Sequence, residues 1–203
     1  MKEHPILYST EMVKAILAGK KTQTRRVMNP QPLQADINAV PTNGWNSVIP
    51  MNPYGMPGDM LWVREQFVAW SLMWKLGQQK GFYYRANFPS DYKASWKWKP
   101  SIHMPKAAAR IWLQITDIRI ERLQEISEED AIDEGVNLAD STKWFKHTHV
   151  FQELWEKING PESWNANPYV WVIQFKVLST TGKPTTNNHH LTTNIKKHCH
   201  EQV

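Results

Sequence analysis

The sequence of 203 residues contains a single cysteine, Cys199. One cysteine cannot form an internal disulfide, so the fold is not predicted to need an oxidising compartment. The chain also lacks an apolar run of about 18 residues, the length that a membrane-spanning helix requires. The N-terminus carries Glu3 and Pro5 where a signal peptide would be continuously apolar. We therefore expect a cytoplasmic protein with no membrane partner.

Two further features are missing, a glycine-rich phosphate-binding loop and the cysteine and histidine spacing of a structural zinc site. Several histidines do surround Cys199, but the segment 179–203 has almost no apolar residues. Such a segment cannot bury enough surface to offset the entropy lost on ordering, and a flexible chain does not preorganise metal ligands. We therefore predict a disordered tail over 179–203 and assign no metal and no cofactor.

The residues that are present favour one globular domain with a mild preference for polyanions. Hydrophobic residues make up 41% of the chain, which is enough for one packed core. The 24 lysines and arginines exceed the 19 acidic residues, and the formal net charge is +5. Many enzymes carry such a charge, so it selects no function by itself.

Hydrophobic periodicity predicts an α+β domain over residues 1–178. Ile111, Leu113 and Ile115 share one face of a strand, and residues 168–178 favour a second strand. Helical spacing occurs over 10–18 and 144–158. We predict a mixed, barrel-like sheet with short flanking helices.

Two long segments show no such periodicity. Residues 28–57 contain six prolines and many asparagines, which predicts a long loop or an insertion. Residues 70–100 are rich in tryptophan, tyrosine and lysine and are also predicted to be irregular. In "WKWKP", strand geometry would put Trp96 and Trp98 on one face and the lysines on the other, so we expect tryptophans that cover the core and lysines in solvent.

The block "ILAGKKTQTRRV" is the first candidate site. If the chain turns after Gly19, the amine of Lys21 and the hydroxyl of Thr24 come together, and a desolvated lysine could activate the threonine. The alternative is a cationic helix end, in which Lys20 and Lys21 complement the helix dipole.

Two carboxylates are further candidates. Glu134 falls in the last turn of a helix that Ser127 begins and Gly135 ends, where the helix dipole disfavours its ionised form and suits a proton donor. The alternative, which the acidic composition of this helix favours, is an exposed surface residue. Glu65 falls on the apolar face of "LWVRE", opposite Arg64, so it either pairs with an arginine or lines a pocket.

Four blocks taken together resemble a known family. They are "ILAGKKTQTRR", "GDMLWVRE", "ITDIRIERLQEISEEDAIDEG" and "VWVIQFKVL", and in this order they are similar to an ASCH domain. The whole chain is similar to the longer ASCH proteins of bacteriophages and prophages. The resemblance implies a PUA-like β-barrel with flanking helices, RNA-binding relatives and a cleft lined by the first block. Relative to small members, it implies insertions at about 28–57, 70–100 and 137–167.

The resemblance also implies a set of site residues. Small bacterial members of the family are amidohydrolases that remove the acetyl group from N4-acetylcytidine. By this resemblance, Lys21 is the proton acceptor, Thr24 the nucleophile and Glu134 the proton donor. The implied substrate contacts are Arg26 in the first block and Arg64 and Glu65 near the cleft.

Three functions stay open at this point. An amidohydrolase would act on an N4-acylated cytidine-like nucleoside or a related amide through Lys21, Thr24 and Glu134. A non-catalytic RNA-binding protein or modified-base reader would contact phosphates through cations that include Lys20 and Arg25. A phage-associated ribonuclease would use Lys21 to stabilise the developing charge and Glu134 as base.

Overall fold

A computed structural model describes residues 1–43, 45, 48–74, 77–136 and 146–184. The helices are α1 (Thr10–Leu17), α2 (Gln34–Asn43), α3 (Glu128–Asp133) and α4 (His147–Asn159). The strands are β1 (Glu3–Leu7), β2 (Gln23–Val27), β3 (Met60–Arg64), β4 (Phe67–Trp74), β5 (Gly77–Tyr84), β6 (Trp112–Arg122) and β7 (Tyr169–Ser179).

Five strands form one mixed sheet in the order β1-β3-β6-β7-β2. Strand β1 runs parallel to β3, and every other neighbouring pair in the sheet is antiparallel. Strands β4 and β5 form a separate antiparallel pair. Short helices around a mixed sheet confirm the predicted α+β class.

The two edge strands of the sheet approach each other at one end. Arg26 of β2 donates from Nη2 to the carbonyl oxygen of Leu7 in β1 at 2.6 Å. The same guanidinium lies 5.2 Å from the centre of the Tyr8 ring, directly after β1. No backbone pairing between β1 and β2 occurs within the described residues, so the sheet curls as a barrel does but stays open there.

The central strand β6 is packed on both faces at its start. Ile111, Leu113 and Ile115, which were predicted to share a face, lie together in the main core. Trp112 points to the other side and packs in a second cluster with Phe67 at the start of β4. A third cluster joins α3, α4 and β7. The alternation in the sequence therefore identified the central strand and its buried face.

Two segments that were predicted to be irregular contain regular structure. Within 28–57 lies α2, which starts where the Leu33 N–H donates to the Asp36 carboxylate at 3.0 Å. Pro30 and Pro32 precede this helix and do not interrupt it, and Pro41 lies in its last turn. Within 70–100, β4 and β5 continue a paired ladder from Phe67 to Tyr84.

The end of the described chain contacts the domain. Gly182 donates from its backbone N–H to the Arg110 carbonyl at 2.9 Å, and Lys183 pairs with Glu3 at 2.8 Å. Of the tail predicted over 179–203, residues 185–203 lie outside the described residues, as do residues 137–145 of the third insertion. None of the helices in the described ranges has the length and apolar character needed to cross a bilayer.

Candidate functional site

Lys21 is positioned by the way α1 ends. Gly19 has a φ of 69°, a left-handed conformation that costs glycine little. The backbone N–H of Lys20 then returns to the carbonyl of Ala15 at 2.9 Å, which completes a Schellman ending. The chain reverses there, as the turn after Gly19 was predicted to allow, and Lys21 leads directly into β2.

Glu134 is positioned by the end of α3. The Ser127 hydroxyl caps this helix by accepting from the Asp130 N–H at 3.0 Å, and Glu134 occupies the C-terminal cap. Gly135 follows with a φ of 85°. A methyl group on Gly135 would lie 3.0 Å from Cβ of Lys21, so the glycine allows α3 to approach the start of β2.

Lys21 and Glu134 form a buried ion pair. The Lys21 Nζ lies 2.7 Å from Oε2 of Glu134 and also donates to its backbone carbonyl at 2.9 Å. Their exposed fractions are 1% and 6%. Burial lowers the pKa of Lys21, the charge of Glu134 opposes this, and Arg26 and Arg25 add to the lowering. An amine in this setting gives up its proton more readily than a surface lysine, as a general base must.

Thr24 and Glu134 line the same cleft. Thr24 lies on β2 opposite Ile173 of β7 and is almost fully buried. Thr24, Arg26 and Glu134 border a cavity of about 130 Å³. The hydroxyl and the carboxylate of the predicted triad therefore share one cavity, and the Lys21 amine is hydrogen-bonded to that carboxylate.

Helix α4 supplies an apolar wall of this cleft. Its predicted stripe, Phe151, Leu154, Trp155 and Ile158, lines the cavity throughout. The helix belongs to the segment 137–167, which the resemblance identified as an insertion. An apolar wall facing a few polar groups is the usual composition of a site for a small organic ligand.

Arg25 has a different position from the one expected for a phosphate contact. Its Nη2 lies 2.9 Å from both Glu121 and Asp130, and its Nη1 lies 3.5 Å from Glu134. The side chain is fully buried. Because three carboxylates already surround the guanidinium, Arg25 joins α3 to the sheet and has no exposed surface for nucleic acid.

Asp130 is held as a carboxylate by the same network. Burial alone would raise its pKa, but the hydrogen bond from Gln23 and the charges of Arg25 and Arg119 bring the pKa down to about 2. Arg119 donates from Nη2 to Asp130 Oδ1 at 2.7 Å. The anchor of α3, and with it the position of Glu134, therefore depends on charge.

Arg26 and Lys20 differ in their relation to the cleft. Arg26 lines it, and the Nε–H of Arg26 has no hydrogen-bond partner. This nitrogen is buried, so it is not open to a bound molecule. Lys20 is exposed beyond α1 and is not among the residues that line the cavity.

Arg64 and Glu65 are both engaged away from the cavity. Glu65 is 1% exposed and receives two hydrogen bonds from Arg110, at 2.8 and 2.9 Å. Burial raises the pKa of Glu65, and Arg110 opposes the rise. Of the two alternatives for Glu65, the structure has the ion pair. Arg64 donates to the carbonyl of Ile102 and lies over the Trp62 ring, and neither Arg64 nor Glu65 lines the cleft.

One further residue at the site, Tyr8, was not predicted. Its ring centre lies 5.8 Å from the Lys21 amine, and its hydroxyl is buried without a hydrogen-bond partner of standard geometry. Burial raises the pKa of Tyr8 far above its ordinary value, although Arg26 and the Thr24 hydroxyl beside it oppose the rise. Tyr8 therefore keeps its proton and can donate. Its place at the end of an apolar strand resembles that of any core tyrosine, so only the tertiary structure identifies it.

Solved structures include distant likenesses of this chain. No family model and no curated protein matches the sequence. A protein of Enterococcus faecalis V583 assigned to the family model DUF984 superposes with a TM-score of 0.44 at 9% identity, over 94% of this chain and 86% of that one. The ASCH domain of Lactobacillus crispatus JV V101 superposes with a TM-score of 0.42 at 13% identity, over 88% and 80%. ASCH is the family that the sequence blocks resemble, and the likeness concerns the fold alone.

Proposed function

We propose that the protein is an amidohydrolase that cleaves the amide of a small modified nucleoside, with an N4-acylated cytidine as the first substrate to test. One observation carries the proposal: the buried 2.7 Å contact between Lys21 Nζ and Glu134 Oε2, at a cleft that Thr24 lines. A base, a nucleophile and an acid are the groups that this type of amide hydrolysis uses. The ASCH resemblance of the sequence supports the same assignment.

The proposed reaction starts from the neutral form of the buried pair. Moving one proton along the 2.7 Å hydrogen bond from Lys21 to Glu134 gives an amine and a carboxylic acid without any change in net charge. Burial penalises the charged pair more than the neutral one. It also lowers the pKa of Lys21. The neutral form holds the proton acceptor and the proton donor that the reaction needs.

The reaction then proceeds in two balanced steps. In the first, the Thr24 oxygen passes its proton to the Lys21 amine and forms a bond with the amide carbon. The carbon–nitrogen bond breaks as Glu134 gives its proton to the leaving nitrogen, so the acyl group remains as an ester on Thr24. In the second, water gives one proton to the Glu134 carboxylate and its oxygen attacks the ester. The bond between the acyl carbon and the Thr24 oxygen breaks as Lys21 returns its proton to that oxygen, which releases the carboxylic acid and restores the starting pair.

Residues around the Lys21–Glu134 pair supply the contacts that would bind the substrate. The Arg26 guanidinium, which lines the cavity, offers a positive charge to an acceptor of the substrate. The stripe of α4 offers apolar and aromatic surface for a heterocycle. Because α4 narrows the cavity, we expect short acyl groups to be preferred over long ones.

The test is turnover of N4-acetylcytidine, followed as cytidine formation by liquid chromatography. The Thr24→Val variant removes the hydroxyl at nearly constant volume and should lower kcat by about 100-fold or more. The matched control is Thr22→Val, which changes an exposed threonine two residues away. It should stay within about twofold of wild type, as surface substitutions usually do.

Two results would contradict the proposal. One is full activity in Thr24→Val, which would remove the nucleophile from the mechanism. The other is the absence of turnover by wild type across a panel of N4-acylated cytidines and simple aryl amides. Cleavage of an RNA oligonucleotide that is lost in Lys21→Met would instead favour the ribonuclease alternative.

A further inference from the structure

A cluster of aromatic side chains lies at the surface, away from the three core clusters. It consists of Tyr83, Phe88, Tyr92, Trp96 and Trp98, which we call the aromatic patch. Its rings contact one another at centre-to-centre distances between 4.7 and 6.4 Å. Tyr83 and Tyr92 keep 41% and 40% of their surface exposed. Large exposed aromatic area on a soluble domain is typical of an interaction surface.

The patch is held in place by backbone contacts. Arg85 donates to the carbonyls of Phe88, Pro89 and Ser90 at 3.1, 2.7 and 2.7 Å, which fixes the loop after β5. At the other end, Lys99 exchanges two backbone hydrogen bonds with Phe67 of β4, at 2.8 and 3.2 Å. A surface that is fixed at both ends loses little conformational entropy when it binds a partner.

The charges around the patch are mostly positive. Lys93, Lys97 and Lys99 are exposed, and within the described residues none of the three makes an ion pair. Asp91 is the one carboxylate between residues 82 and 99. Residues 92–98 form no strand. The strand geometry that would have put Lys97 on the face opposite Trp96 and Trp98 is therefore absent, and cations and rings can serve one ligand.

We propose that the aromatic patch binds single-stranded nucleic acid, with bases stacked on its exposed rings and phosphates paired with Lys93, Lys97 and Lys99. Stacking on aromatic rings beside lysines is the usual way in which proteins hold single strands without sequence preference. This binding does not depend on the proposed hydrolysis, because the patch shares no residue with the Lys21 cleft.

An anionic membrane is the other polyanion that aromatic and basic residues can meet. Surfaces that insert into lipid also present large aliphatic side chains to the acyl region. Between residues 82 and 99, the largest aliphatic side chains are those of alanine and proline. The composition of the patch therefore favours planar bases over acyl chains.

The experiment measures the binding of a fluorescently labelled 12-nucleotide oligo(U) by anisotropy, with wild-type full-length protein and matched variants. Lys93→Glu/Lys97→Glu should weaken binding by more than about tenfold, since each lost phosphate contact removes a released counterion. The control Lys146→Glu/Lys176→Glu changes the net charge by the same amount at exposed lysines on other elements, and it should weaken binding by less than about threefold.

A ring variant tests stacking separately from charge. Tyr92→Ala, and Tyr92→Leu as a variant that keeps apolar volume, should each weaken oligo(U) binding by about 5-fold or more, as expected for one lost base stack. Oligo(dT) should bind in the same way as oligo(U), while a 12-base-pair duplex should bind more weakly because its bases are not free to stack.

Several outcomes would overturn the assignment. Equal losses of oligo(U) affinity in the two double-lysine variants would show that the binding depends only on overall charge. Unchanged binding by both Tyr92 variants, or a duplex bound as tightly as the single strand, would exclude stacking. Loss of binding in Lys20→Glu with full binding by the patch variants would place the strand at the end of α1 instead. Patch-dependent binding to phosphatidylserine vesicles without oligonucleotide binding would identify a membrane surface.

Discussion

The Lys21 amine lies 2.7 Å from the Glu134 carboxylate although 113 residues separate them in the chain. Their backbones are also joined, by an antiparallel bridge and by the Thr22 N–H, which donates to the Asp133 carbonyl at 2.9 Å. The docking of α3 beside the start of β2 therefore fixes both side chains at once. Any function of the pair depends on this tertiary contact.

Breaking the Lys21–Glu134 pair should lower the stability of the protein. Glu134→Gln leaves the Lys21 amine buried without its carboxylate, and we expect the free energy of unfolding to fall by about 3 kcal/mol at pH 7. The unfolded chain keeps the lysine proton up to the ordinary pKa of 10.5, whereas burial lowers the pKa in the folded state. The unfolded state thus binds more protons, so the loss should shrink as the pH rises toward 10. Urea unfolding at pH 7 and pH 9.5 measures both effects.

The control for this variant is an exposed pair of the same charge type. Glu11 lies 3.4 Å from Lys14 on the surface of α1. Glu11→Gln should cost less than about 1 kcal/mol, because solvent screens the interaction. Equally small losses in Glu11→Gln and Glu134→Gln would show that the Lys21–Glu134 pair is not buried as described.

Gly135 should be more sensitive to substitution than Gly19. Both have positive φ, so alanine costs about 1 to 2 kcal/mol at either position from backbone strain. At Gly19 the new methyl group meets nothing within 4 Å, whereas at Gly135 it lies 3.0 Å from Cβ of both Ala15 and Lys21. We expect Gly135→Ala to be the less stable variant in urea unfolding and to lose amidase activity, which Gly19→Ala should retain. Equal effects would contradict the role of Gly135 in positioning the pair.

The parts of the fold that the sequence predicted are those with strong local signals. Alternation identified the central strand around Ile111, Leu113 and Ile115, and the Ser127 cap and Gly135 bounded α3. The apolar stripe of α4 was also predicted. Local patterns did not find α2 or the β4–β5 pair, because the prolines and aromatic residues of these segments obscured the regular elements.

The part of the candidate site that could be predicted is the part determined by residues at the ends of helices. The turn at Gly19 and the helix end at Glu134 are local, and the structure joins them in one pair. The network around Arg25 is different, since its partners Glu121 and Asp130 come from β6 and α3. Which arginine meets which carboxylate depends on how those elements dock. For the same reason Arg25 was predicted as a phosphate contact but lies buried.

Asp130 should make the protein acid-sensitive over a defined range. Its folded pKa of about 2 lies below the ordinary value of 3.8, so the stability it provides is complete above about pH 4 and disappears as the pH falls toward 2. Asp130→Asn should lower the free energy of unfolding at pH 6. It should also reduce the fall in that free energy between pH 4 and pH 2. Glu129→Gln, an exposed neighbour on α3, should leave both unchanged. An unaltered acid profile in Asp130→Asn would contradict the network.

Tyr8→Phe should raise stability while lowering activity. The Tyr8 hydroxyl is buried and makes no hydrogen bond of standard geometry, although Thr24 and Arg26 lie beside it, so its removal should increase the free energy of unfolding by about 1 kcal/mol. The control is Tyr84→Phe, because the Tyr84 hydroxyl donates to the Ala108 carbonyl at 2.8 Å, and its loss should cost about 1 kcal/mol. If Tyr8 donates to the oxygen that becomes charged when Thr24 attacks, Tyr8→Phe should also lower kcat for N4-acetylcytidine by about 10-fold or more with little change in KM. A loss of stability in Tyr8→Phe would show that the hydroxyl is paired in the folded protein, and unchanged kcat would exclude it from the reaction.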